Sequence, residues 1–554
     1  MDRRWAAAAV VGVVALVGIA AVLGPRLLGG RHRPNVLVVL WDTARADRMS
    51  LYGYDKPTTP RLDAFAKDAA VYERATAPGM WTLNSHAAMF TGLYETSHGA
   101  KPAYRWLDQH YTTFAELAHD QGYDTFFYSS NLIASPMTNL TQGFDTVHTS
   151  FPRPNDPGRY TKPARRATRD KLIPDDASTE ISPAFTGSKV DEWEKAVFKD
   201  SAPIADQALF DWLSERTEQD KPFLAYLNLM EAHTPRIPSM SARRRVADEP
   251  TIATALATDA SLFASNEYIV GRRDYAPEEL AAIGATYDAA LVDLDDATGD
   301  ILDRLKNAGL LDDTVVIVVA DHGEGLGEHR RLEHRWSVYE PLLHVPLVIR
   351  YPAAFPPGRI ADRVTTLDLF ATVVDMLELE RPAGTSGTSL VGRSAFDPRV
   401  FSQMLDPFAS QLRSVQKSYP DLDVAEWART YCVVYEGAQK LIYASNGQHA
   451  LYDLATDPGE ERNLIATVPD VRDRLEQALT AFEGGLPVYD PELRGPDDGV
   501  AGETREQQAW LTALGYTVDD VEDVAKDFCG PFAAAAAEKS APSGRAGNPG
   551  QGNR

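Results

Sequence analysis

The stretch Pro34-Asn35-Val36-Leu37-Val38-Val39-Leu40-Trp41-Asp42 is an almost unbroken apolar run that ends at a carboxylate. A strand with one face in water would alternate apolar and polar side chains, and this run does not alternate. Strands that are covered on both faces, as in parallel sheets, have this composition. The run therefore predicts a buried central strand with Asp42 at its carboxyl end.

Other apolar runs of the same kind occur along the chain, at residues 123–128, 222–230, 314–320 and 345–349. Segments with helical periodicity lie between them, at residues 59–70, 113–121, 204–216, 277–305 and 367–377. Strands that alternate with helices predict an α/β fold with layers of helices on a sheet. Ligands of such sheets bind beyond the carboxyl ends of the strands, so we expect one site at that edge.

The rest of the chain divides into segments of different composition. Residues 34–398 form the predicted main α/β domain, and residues 150–200, rich in Pro, Asp, Arg and Lys, are predicted to be a long surface insertion. Short β-like segments followed by a helical pattern predict a C-terminal subdomain over residues 399–531. Residues 532–554 are mostly Ala, Ser, Gly and Pro, which predicts a disordered tail.

The first 33 residues have the composition of a membrane segment. Residues 5–24 carry no charge, and about 20 apolar residues suffice to span a hydrocarbon core. A secretory signal has a shorter apolar core and a cleavage site of small residues. We therefore predict an uncleaved membrane anchor over residues 1–33, with a cleaved signal peptide as the alternative. Either one places the protein outside the cytoplasm, in the periplasm or at the cell surface.

Charge and cysteine content limit the possible functions. The chain has 79 acidic and 55 basic residues and a formal charge of −24, which disfavours binding to nucleic acid. Cys432 and Cys529 are the only cysteines, and they do not form a CxxC motif. Outside the cytoplasm they could form one disulfide, or both could remain unpaired.

Two residues at predicted element ends are candidates for chemistry. Asp42 could hold a metal at the mouth of the sheet, although an aspartate after a strand is more often a turn or cap residue. Thr82 follows Pro78-Gly79 and opens an apolar helical segment that stops at Gly92. Backbone N–H groups at a helix start stabilise an anionic substrate, whereas the structural alternative for Thr82 is an N-cap.

A cluster of histidines completes the set of candidates. The pair Asp321-His322 follows the predicted strand at 314–320 and can offer an oxygen and a nitrogen to a divalent metal. His334 lies twelve residues further along, and His233 follows the predicted strand at 222–230. A single histidine is usually a packing or surface residue, but several at strand ends favour a site.

These segments, taken in order, resemble the sulfatase family of the alkaline phosphatase superfamily. The resemblance rests on PNVLVVLWDTARADRMSLYGYDKPTTPRLDAFA, TLNSHAAMFTGLYETSHG, ADHGEGLGEH with His334, LYDLATDPGEERNL and WLTALGY, which together cover most of residues 34–518. It implies a three-layer α/β sandwich with a mixed, largely parallel sheet, followed by a small antiparallel α+β subdomain. It also implies an ester hydrolase or transferase that uses one divalent metal ion.

The resemblance assigns a role to each candidate residue. Asp42, Asp321 and His322 would hold the metal, and Thr82 would be the nucleophile and a further metal contact. His233 and His334 would contact the transferred group or the leaving oxygen. The substrate would be an anionic ester on a glycan, a lipid head group or a small molecule.

Departures from the usual sulfatase pattern bear on the chemistry. The usual motif begins with Cys or Ser, which is oxidised to formylglycine; here Thr82 stands in that position, Asn84 replaces a proline, and His86, also a candidate catalytic residue, replaces an arginine. Thr43 stands where calcium sulfatases usually have another aspartate, which favours zinc or manganese over calcium or magnesium. Superfamily members with a threonine nucleophile act on phosphodiesters or phospholipid head groups.

The sequence therefore favours phosphate or phosphodiester chemistry through a covalent Thr82 intermediate. Sulfuric ester hydrolysis of the arylsulfatase type is the first alternative. A non-catalytic protein that binds metal or anion on the same fold is the second, because fold does not guarantee function. The presence of all three predicted metal ligands argues against that second alternative.

Overall fold

The computed structural model describes residues 33–151, 158–164, 166, 202–393 and 395–495. The predicted anchor, except Arg33, most of the predicted insertion and the predicted tail lie outside these ranges. Within the described residues, none of the helices has the length and apolar character needed to cross a membrane. Cys432 is buried and disulfide-bonded, and Cys529 lies outside the described residues.

The strands and helices follow each other in the alternating order that the sequence predicts. The strands are β1 Asn35–Trp41, β2 Ala70–Thr76, β3 Asp124–Ser129, β4 Thr146–Thr149, β5 Phe223–Leu229, β6 Thr314–Val319, β7 Gly325–Leu326, β8 Leu332–Glu333, β9 His344–Val345, β10 Leu347–Arg350, β11 Gly358–Thr365, β12 Arg399–Met404, β13 Tyr431–Glu436, β14 Gln439–Ala444 and β15 Ala450–Asp453.

The α-helices are α1 Pro60–Phe65, α2 Thr82–Thr91, α3 Glu95–His98, α4 Phe114–Asp120, α5 Ala202–Glu215, α6 Met240–Val246, α7 Glu249–Ala257, α8 Leu262–Ile269, α9 Pro277–Asn307, α10 Glu340–Leu343, α11 Asp368–Met376, α12 Ala409–Ser418 and α13 Pro469–Gly485. Short 3₁₀ helices are Ala46–Arg48, Ser50–Tyr52, Ala66–Asp68, Pro136–Thr138, Leu311–Asp313, Glu328–Arg330, Val424–Glu426 and Pro491–Leu493.

Within the described ranges the central sheet has nine strands in the order β11-β2-β10-β6-β1-β5-β3-β4, with β9 paired to β2. Strand β1 lies between β5 and β6 and pairs parallel with both. Strands β10 and β9 make the antiparallel pairs, so the sheet is mixed and largely parallel, as predicted. Every residue of β5 and β6 is buried, which explains why these strands are continuously apolar rather than alternating.

Helices cover both faces of this sheet. Consecutive residues of a strand point to opposite faces, and Phe126 of β3 stacks on Trp212 of α5. The next residue, Phe127, packs on Tyr226, which also contacts Phe90 of α2. Helices α5 and α2 therefore lie on opposite sides of the sheet. The predicted three-layer sandwich is confirmed.

A second, antiparallel sheet with the order β12-β13-β14-β15 follows in the chain. Cys432, Val434 and Leu441 of this sheet share a buried cluster with Leu475 and Leu479 of α13. The predicted small C-terminal α+β unit is thereby confirmed, while its outer boundaries remain predictions.

Candidate active site

Three potential metal ligands meet at the carboxyl edge of the central sheet. Strands β1 and β6 pair in register, with Leu40 opposite Val319, so the residues that follow each strand lie side by side. Oδ1 of Asp42, Oδ2 of Asp321 and Nε2 of His322 are buried and have no hydrogen-bond partner among the described residues. These side chains offer ligand atoms within 4.8 Å of one another, so they could hold one metal ion.

The other polar atoms of Asp321 and His322 form hydrogen bonds that orient these side chains toward a shared cation position. Oδ1 of Asp321 accepts hydrogen bonds from the backbone N–H groups of Thr43, at 3.1 Å, and His322, at 2.9 Å. Nδ1 of His322 donates to the carbonyl oxygen of Gly323 at 2.9 Å, which leaves the Nε2 lone pair free for a ligand bond. Nε2 of His322 lies 3.3 Å from Oδ2 of Asp321.

Electrostatics favour a cation between these groups. Burial, together with the neighbouring Asp321, raises the pKa of Asp42 to about 7, and burial also raises the pKa of Asp321 to about 7. Burial and the proximity of His334 lower the pKa of His322 to about 4, so its imidazole is neutral. Two adjacent buried carboxylates and a neutral imidazole are a donor set that a divalent cation stabilises.

Thr82 is the first residue of α2. Its hydroxyl is linked to the Asp42 carboxylate by an asparagine that was not predicted from the sequence. The Nδ2 group of Asn131 donates to Oδ2 of Asp42 at 2.7 Å and lies 3.3 Å from Oγ1 of Thr82. Asn228 donates a further hydrogen bond to Oδ2 of Asp42 at 3.1 Å. Asn131 follows β3, and Asn228 interrupts the apolar run of β5. A polar residue at either position could have been identified from the sequence as a candidate for the site.

His86 lies one helical turn after Thr82 and faces the same group. Its Nδ1 lies 2.7 Å from the carbonyl oxygen of Thr82 and 3.6 Å from Oδ2 of Asp321. Burial lowers the pKa of His86 to about 3, so the ring is neutral at physiological pH. His86 therefore presents a neutral imidazole beside the potential metal ligands.

The predicted histidines His233 and His334 lie next to the potential metal ligands. The ring of His334 is 4.6 Å from that of His322 and 5.0 Å from that of His233, measured between centroids. Nδ1 of His334 lies 3.0 Å from Oε1 of Glu324, whose Oε2 accepts from Arg236 at 2.7 Å. Glu324, which sequence analysis did not single out, thus orients His334.

A second group of potential ligand atoms occurs at Glu324, Glu333 and His334. The Glu324 carboxylate in this group is already bonded to His334 and to the guanidinium of Arg236. An internal cation thus supplies the charge that a metal would supply. We therefore interpret this group as the support of His334 rather than as a metal site.

The start of α2 is held against the C-terminal sheet. Nδ2 of Asn84 donates to Oε2 of the buried Glu95 at 2.8 Å and lies 3.4 Å from the carbonyl oxygen of Gln403 in β12. The N–H group of Gln403 donates to the carbonyl oxygen of Pro78 at 2.9 Å. A Cβ atom on Gly79 would lie 2.3 Å from Nδ2 of Asn84, so this approach requires glycine. Asn84 therefore links the helix that carries Thr82 to the second subdomain.

Comparison with known proteins identifies the class of this fold and site. The sequence model of the Sulfatase family matches residues 34–379, more than half of the chain, and that of the N-sulphoglucosamine sulphohydrolase C-terminal domain matches residues 327–483. The chain belongs to the sulfatase family and is an ester hydrolase of that family, which confirms the predicted resemblance.

Curated relatives include arylsulfatase K of Bos taurus and arylsulfatase K of Gallus gallus. The first is 24% identical over 476 residues, covering 81% of this chain and 81% of the relative. The second is 24% identical over 498 residues, covering 84% and 85%. The phosphoryl preference predicted from Thr82 has no support in these relatives, whose names agree with the sulfuric ester alternative.

Solved structures share the fold at low sequence identity. The phosphonate monoester hydrolase of Agrobacterium radiobacter has a TM-score of 0.61 and 23% identity, covering 81% of this chain and 95% of that chain. A protein solved in complex with its substrate D-glucosamine-2-N,6-O-disulfate has a TM-score of 0.61 and 20% identity, covering 81% and 97%.

Proposed function

We propose that this protein is a metal-dependent sulfuric ester hydrolase in which Thr82 is the nucleophile. The observation that carries the proposal is the convergence of ligand atoms from Asp42, Asp321 and His322 that have no hydrogen-bond partner in the described part of the chain. Asn131 links this group to the Thr82 hydroxyl. The family and its arylsulfatase relatives support sulfate as the transferred group. Zinc or manganese suits the single imidazole and two carboxylates better than calcium or magnesium.

Each residue of the site has a separate role in the proposed reaction. The Thr82 hydroxyl releases its proton to water as Oγ1 attacks sulfur in line. The S–O bond to the alcohol breaks, and the sulfate is held as a covalent ester on Thr82. Asn131 aligns the hydroxyl with Asp42, and the N–H groups at the start of α2 stabilise negative charge on the transferred group. A bound divalent cation would lower the pKa of the Thr82 hydroxyl and neutralise charge on the transferred group.

Proton transfer falls to the two histidines beyond the metal ligands. His334 is held by Glu324 and lies beside His233, so one of the two rings protonates the leaving alcohol. Water then attacks sulfur and breaks the ester bond to Thr82, which regenerates the hydroxyl. His86 stays neutral and contributes hydrogen bonding rather than charge.

Phosphoryl transfer is the second candidate, and the Thr82 side chain is the observation that favours it. Oxidation of threonine cannot give the formylglycine aldehyde, because the β-carbon carries a methyl group. A sulfate ester of threonine therefore lacks the elimination route that a formylglycine hydrate offers, whereas a phosphothreonine is opened directly by water. Transfer to a second alcohol is the corresponding transferase reaction.

The substrate proposed for this site is an anionic ester on a glycan, a lipid head group or a small molecule. We further propose that the protein works outside the cytoplasm, attached to a membrane through residues 5–24, because that segment is long and uncharged. The overall acidic charge makes nucleic acid an unsuitable partner.

A substrate panel tests the proposal. Purified protein is incubated with 4-nitrophenyl sulfate, 4-nitrophenyl phosphate and bis(4-nitrophenyl) phosphate, each with zinc, manganese, calcium or magnesium. We expect the highest kcat/KM for the sulfate ester, and loss of turnover after chelation that the metal restores. A highest kcat/KM for a phosphate ester would select the second candidate. Absence of turnover with every metal, while metal binding is intact, would indicate the non-catalytic alternative.

A further inference from the structure

A short loop of the C-terminal sheet lies against the start of helix α2. It consists of residues 405–408, which follow strand β12, and we call it the β12 loop. The ring of Phe408 in this loop packs edge-on against the ring of Trp81, with the centroids 5.6 Å apart. Trp81 immediately precedes Thr82, and both aromatic side chains are almost completely buried. The β12 loop therefore contacts the segment that carries the proposed nucleophile.

The same loop is bonded to the segment that carries His334. Nε1 of Trp336, a completely buried residue two positions after His334, donates to the carbonyl oxygen of Pro407 at 3.0 Å. The hydroxyl of Tyr431 in β13 donates to the carbonyl oxygen of Trp336 at 3.3 Å. Trp336 is thus held through its side chain and through its backbone. Two consecutive loop residues, Pro407 and Phe408, therefore connect the two segments that carry proposed reacting groups.

The backbone at both contact points has a left-handed conformation that bulky residues rarely adopt. The φ angle is 52° at Trp336 and at Phe408, and 62° at Glu333, directly before His334. Bulky residues stay in this region only where their surroundings hold them there, and such residues cluster at functional sites. The bond from Trp336 to the loop and the bond from the N–H group of Phe408 to Oδ1 of Asp406, at 2.7 Å, provide such surroundings.

The β12 loop is itself attached to the main domain. Oδ2 of Asp406 accepts a hydrogen bond from the N–H group of Ala103 at 2.8 Å. The N–H group of Leu405 donates to Oε1 of the buried Glu95 at 3.3 Å. Because the loop is bonded at its base, it can hold the two segments at a set separation. A proton donor must lie within hydrogen-bond reach of the leaving oxygen, so this separation affects the rate.

We propose that Trp336 is a positioning residue for His334, and that the β12 loop sets the separation of His334 and Thr82. This inference rests on the proposed function, because it takes Thr82 as the nucleophile and His334 as the ring that protonates the leaving alcohol. It gives the C-terminal subdomain a part in the reaction, although none of its side chains needs to touch the substrate.

The first experiment uses the leaving group to separate a displaced proton donor from a general loss of structure. 4-Nitrophenolate leaves readily without a proton, whereas phenolate, the anion of a weaker acid, depends more on protonation. We compare kcat/KM for 4-nitrophenyl sulfate and phenyl sulfate in the wild type, Trp336→Phe and Trp427→Phe. Trp336→Phe keeps an aromatic ring and loses the N–H donor. Trp427 is the matched control, since it is buried and its Nε1 has no acceptor within the ranges that the structure describes.

The expected result is a selective loss. In Trp336→Phe, kcat/KM for phenyl sulfate should fall about ten-fold or more, and that for 4-nitrophenyl sulfate by less than about three-fold, because only the first needs the proton donor. Trp427→Phe should match the wild type with both substrates. If the substrate panel selects phosphate esters, the two corresponding phosphates replace the sulfates. Equal losses with both substrates in Trp336→Phe, or no loss, would overturn the proposal and leave the proposed function intact.

Two further variants extend the test to the other contacts. Tyr431→Phe removes the hydroxyl that is bonded to the Trp336 carbonyl oxygen, so it should show the same selectivity with a smaller loss. This variant keeps the test decisive if Trp336→Phe folds poorly. Phe408→Leu weakens the contact with Trp81 and should lower kcat/KM for both substrates, because the nucleophile is displaced. Wild-type kinetics in Phe408→Leu would overturn the role of the β12 loop.

The second experiment needs no turnover. Crystal structures of the zinc-loaded wild type, Trp336→Phe and Trp427→Phe are compared. We expect the His334 ring to move by about 0.5 Å or more in Trp336→Phe alone, a displacement that is enough to lose productive geometry, while the three potential metal ligands keep their positions. A His334 ring in the wild-type position would overturn the proposal. A displaced His334 ring in a protein that turns over no ester would retain the positioning role of Trp336 and reject the proposed function.

Discussion

At the level of single residues, the proposed chemistry depends on a few buried atoms that have no hydrogen-bond partner among the described residues. Oδ1 of Asp42, Oδ2 of Asp321 and Nε2 of His322 are such atoms, and their companion atoms on the same side chains are all bonded. A buried polar atom without a partner is costly, so such a cluster persists where a ligand completes it. The adjoining Thr82 hydroxyl can then act on a group bound there.

Replacement of Thr82 tests its role as nucleophile. Thr82→Ala should lower kcat by about three orders of magnitude or more while the metal content stays unchanged, since the attacking atom is removed but the metal-binding carboxylates remain. Thr82→Ser should keep part of the activity, because it retains the hydroxyl. Turnover is measured with the preferred ester of the panel, and metal content by elemental analysis. Activity of metal-loaded Thr82→Ala at the wild-type level would mean that another group attacks.

Asn131 should affect both Thr82 and Asp42, because one amide group contacts both. Asn131→Ala should reduce kcat/KM or metal affinity by roughly 10–100-fold, the usual effect of removing a partner of a metal ligand. Asn307→Ala, a substitution at the exposed end of α9, serves as a control and should leave both values unchanged. An Asn131→Ala protein with normal kinetics and normal metal affinity would show that Asp42 and Thr82 are aligned without it.

At the level of elements, helix α2 is positioned by contacts at both of its sides. Phe90 and His86 contact Tyr226 of the central sheet, while Asn84 contacts Glu95 of α3. Burial raises the pKa of Glu95 to about 8, so its carboxyl group is protonated in the folded protein at neutral pH. In the unfolded chain the same group ionises near 4.5. The stability of this junction therefore depends on pH.

The sign of that dependence follows from proton binding. Between pH 4.5 and 8 the folded protein holds the Glu95 proton and the unfolded chain releases it, so the contribution of Glu95 to the free energy of unfolding falls as pH rises. Glu95→Gln should remove this dependence, so the free energy of unfolding of the variant minus that of the wild type should rise by up to about 1.4 kcal/mol per pH unit in this window.

Urea unfolding of both proteins at several values from pH 5 to pH 8.5 measures the effect. Glu218→Gln, at an exposed position, is the control and should follow the wild-type curve. Parallel pH curves for Glu95→Gln and the wild type would contradict the assignment of a raised pKa to Glu95.

At the level of the whole molecule, a buried ion pair network joins the C-terminal sheet to helix α10. Nζ of Lys440 in β14 lies 2.7 Å from Oε1 of Glu460 and 3.2 Å from Oε1 of Glu340, the first residue of α10. The hydroxyl of Tyr435 donates to the same Glu340 oxygen at 2.6 Å. Lys440 and Glu460 are almost completely buried, so the lysine neutralises two carboxylates at the junction of the subdomains.

Removal of this lysine should destabilise the whole chain. Lys440→Met removes the cation from the buried Glu460 carboxylate and leaves Arg363, at 3.9 Å, beside the partly buried Glu340 carboxylate. The free energy of unfolding should fall by about 3–5 kcal/mol. Lys306→Met, at an exposed position of α9, should change it by no more than about 0.5 kcal/mol. Chemical denaturation followed by tryptophan fluorescence gives both values. A loss for Lys440→Met as small as that of the control would mean that the carboxylates find other partners or become protonated.

The sequence by itself determined the α/β class, the family and the set of candidate ligands. Strands that are covered on both faces have continuous apolar sequences, so an apolar run predicts such a strand. The carboxyl end of the strand can be located from the run alone. Asp42, Asp321 and His322 follow such runs directly, so their convergence was predictable once β1 and β6 were expected to be parallel. The signals for the helix after Gly79 are also local in the sequence. The start of α2 at Thr82 could therefore be predicted in the same way.

Only the tertiary structure decided which residues support these groups. Asn131, Asn228 and Glu324 are bonded to site residues that are distant in sequence or lie on other strands, and these contacts depend on the strand order of the sheet. Periodicity reports how each segment is covered, whereas hydrogen bonds and ion pairs depend on which segments become neighbours.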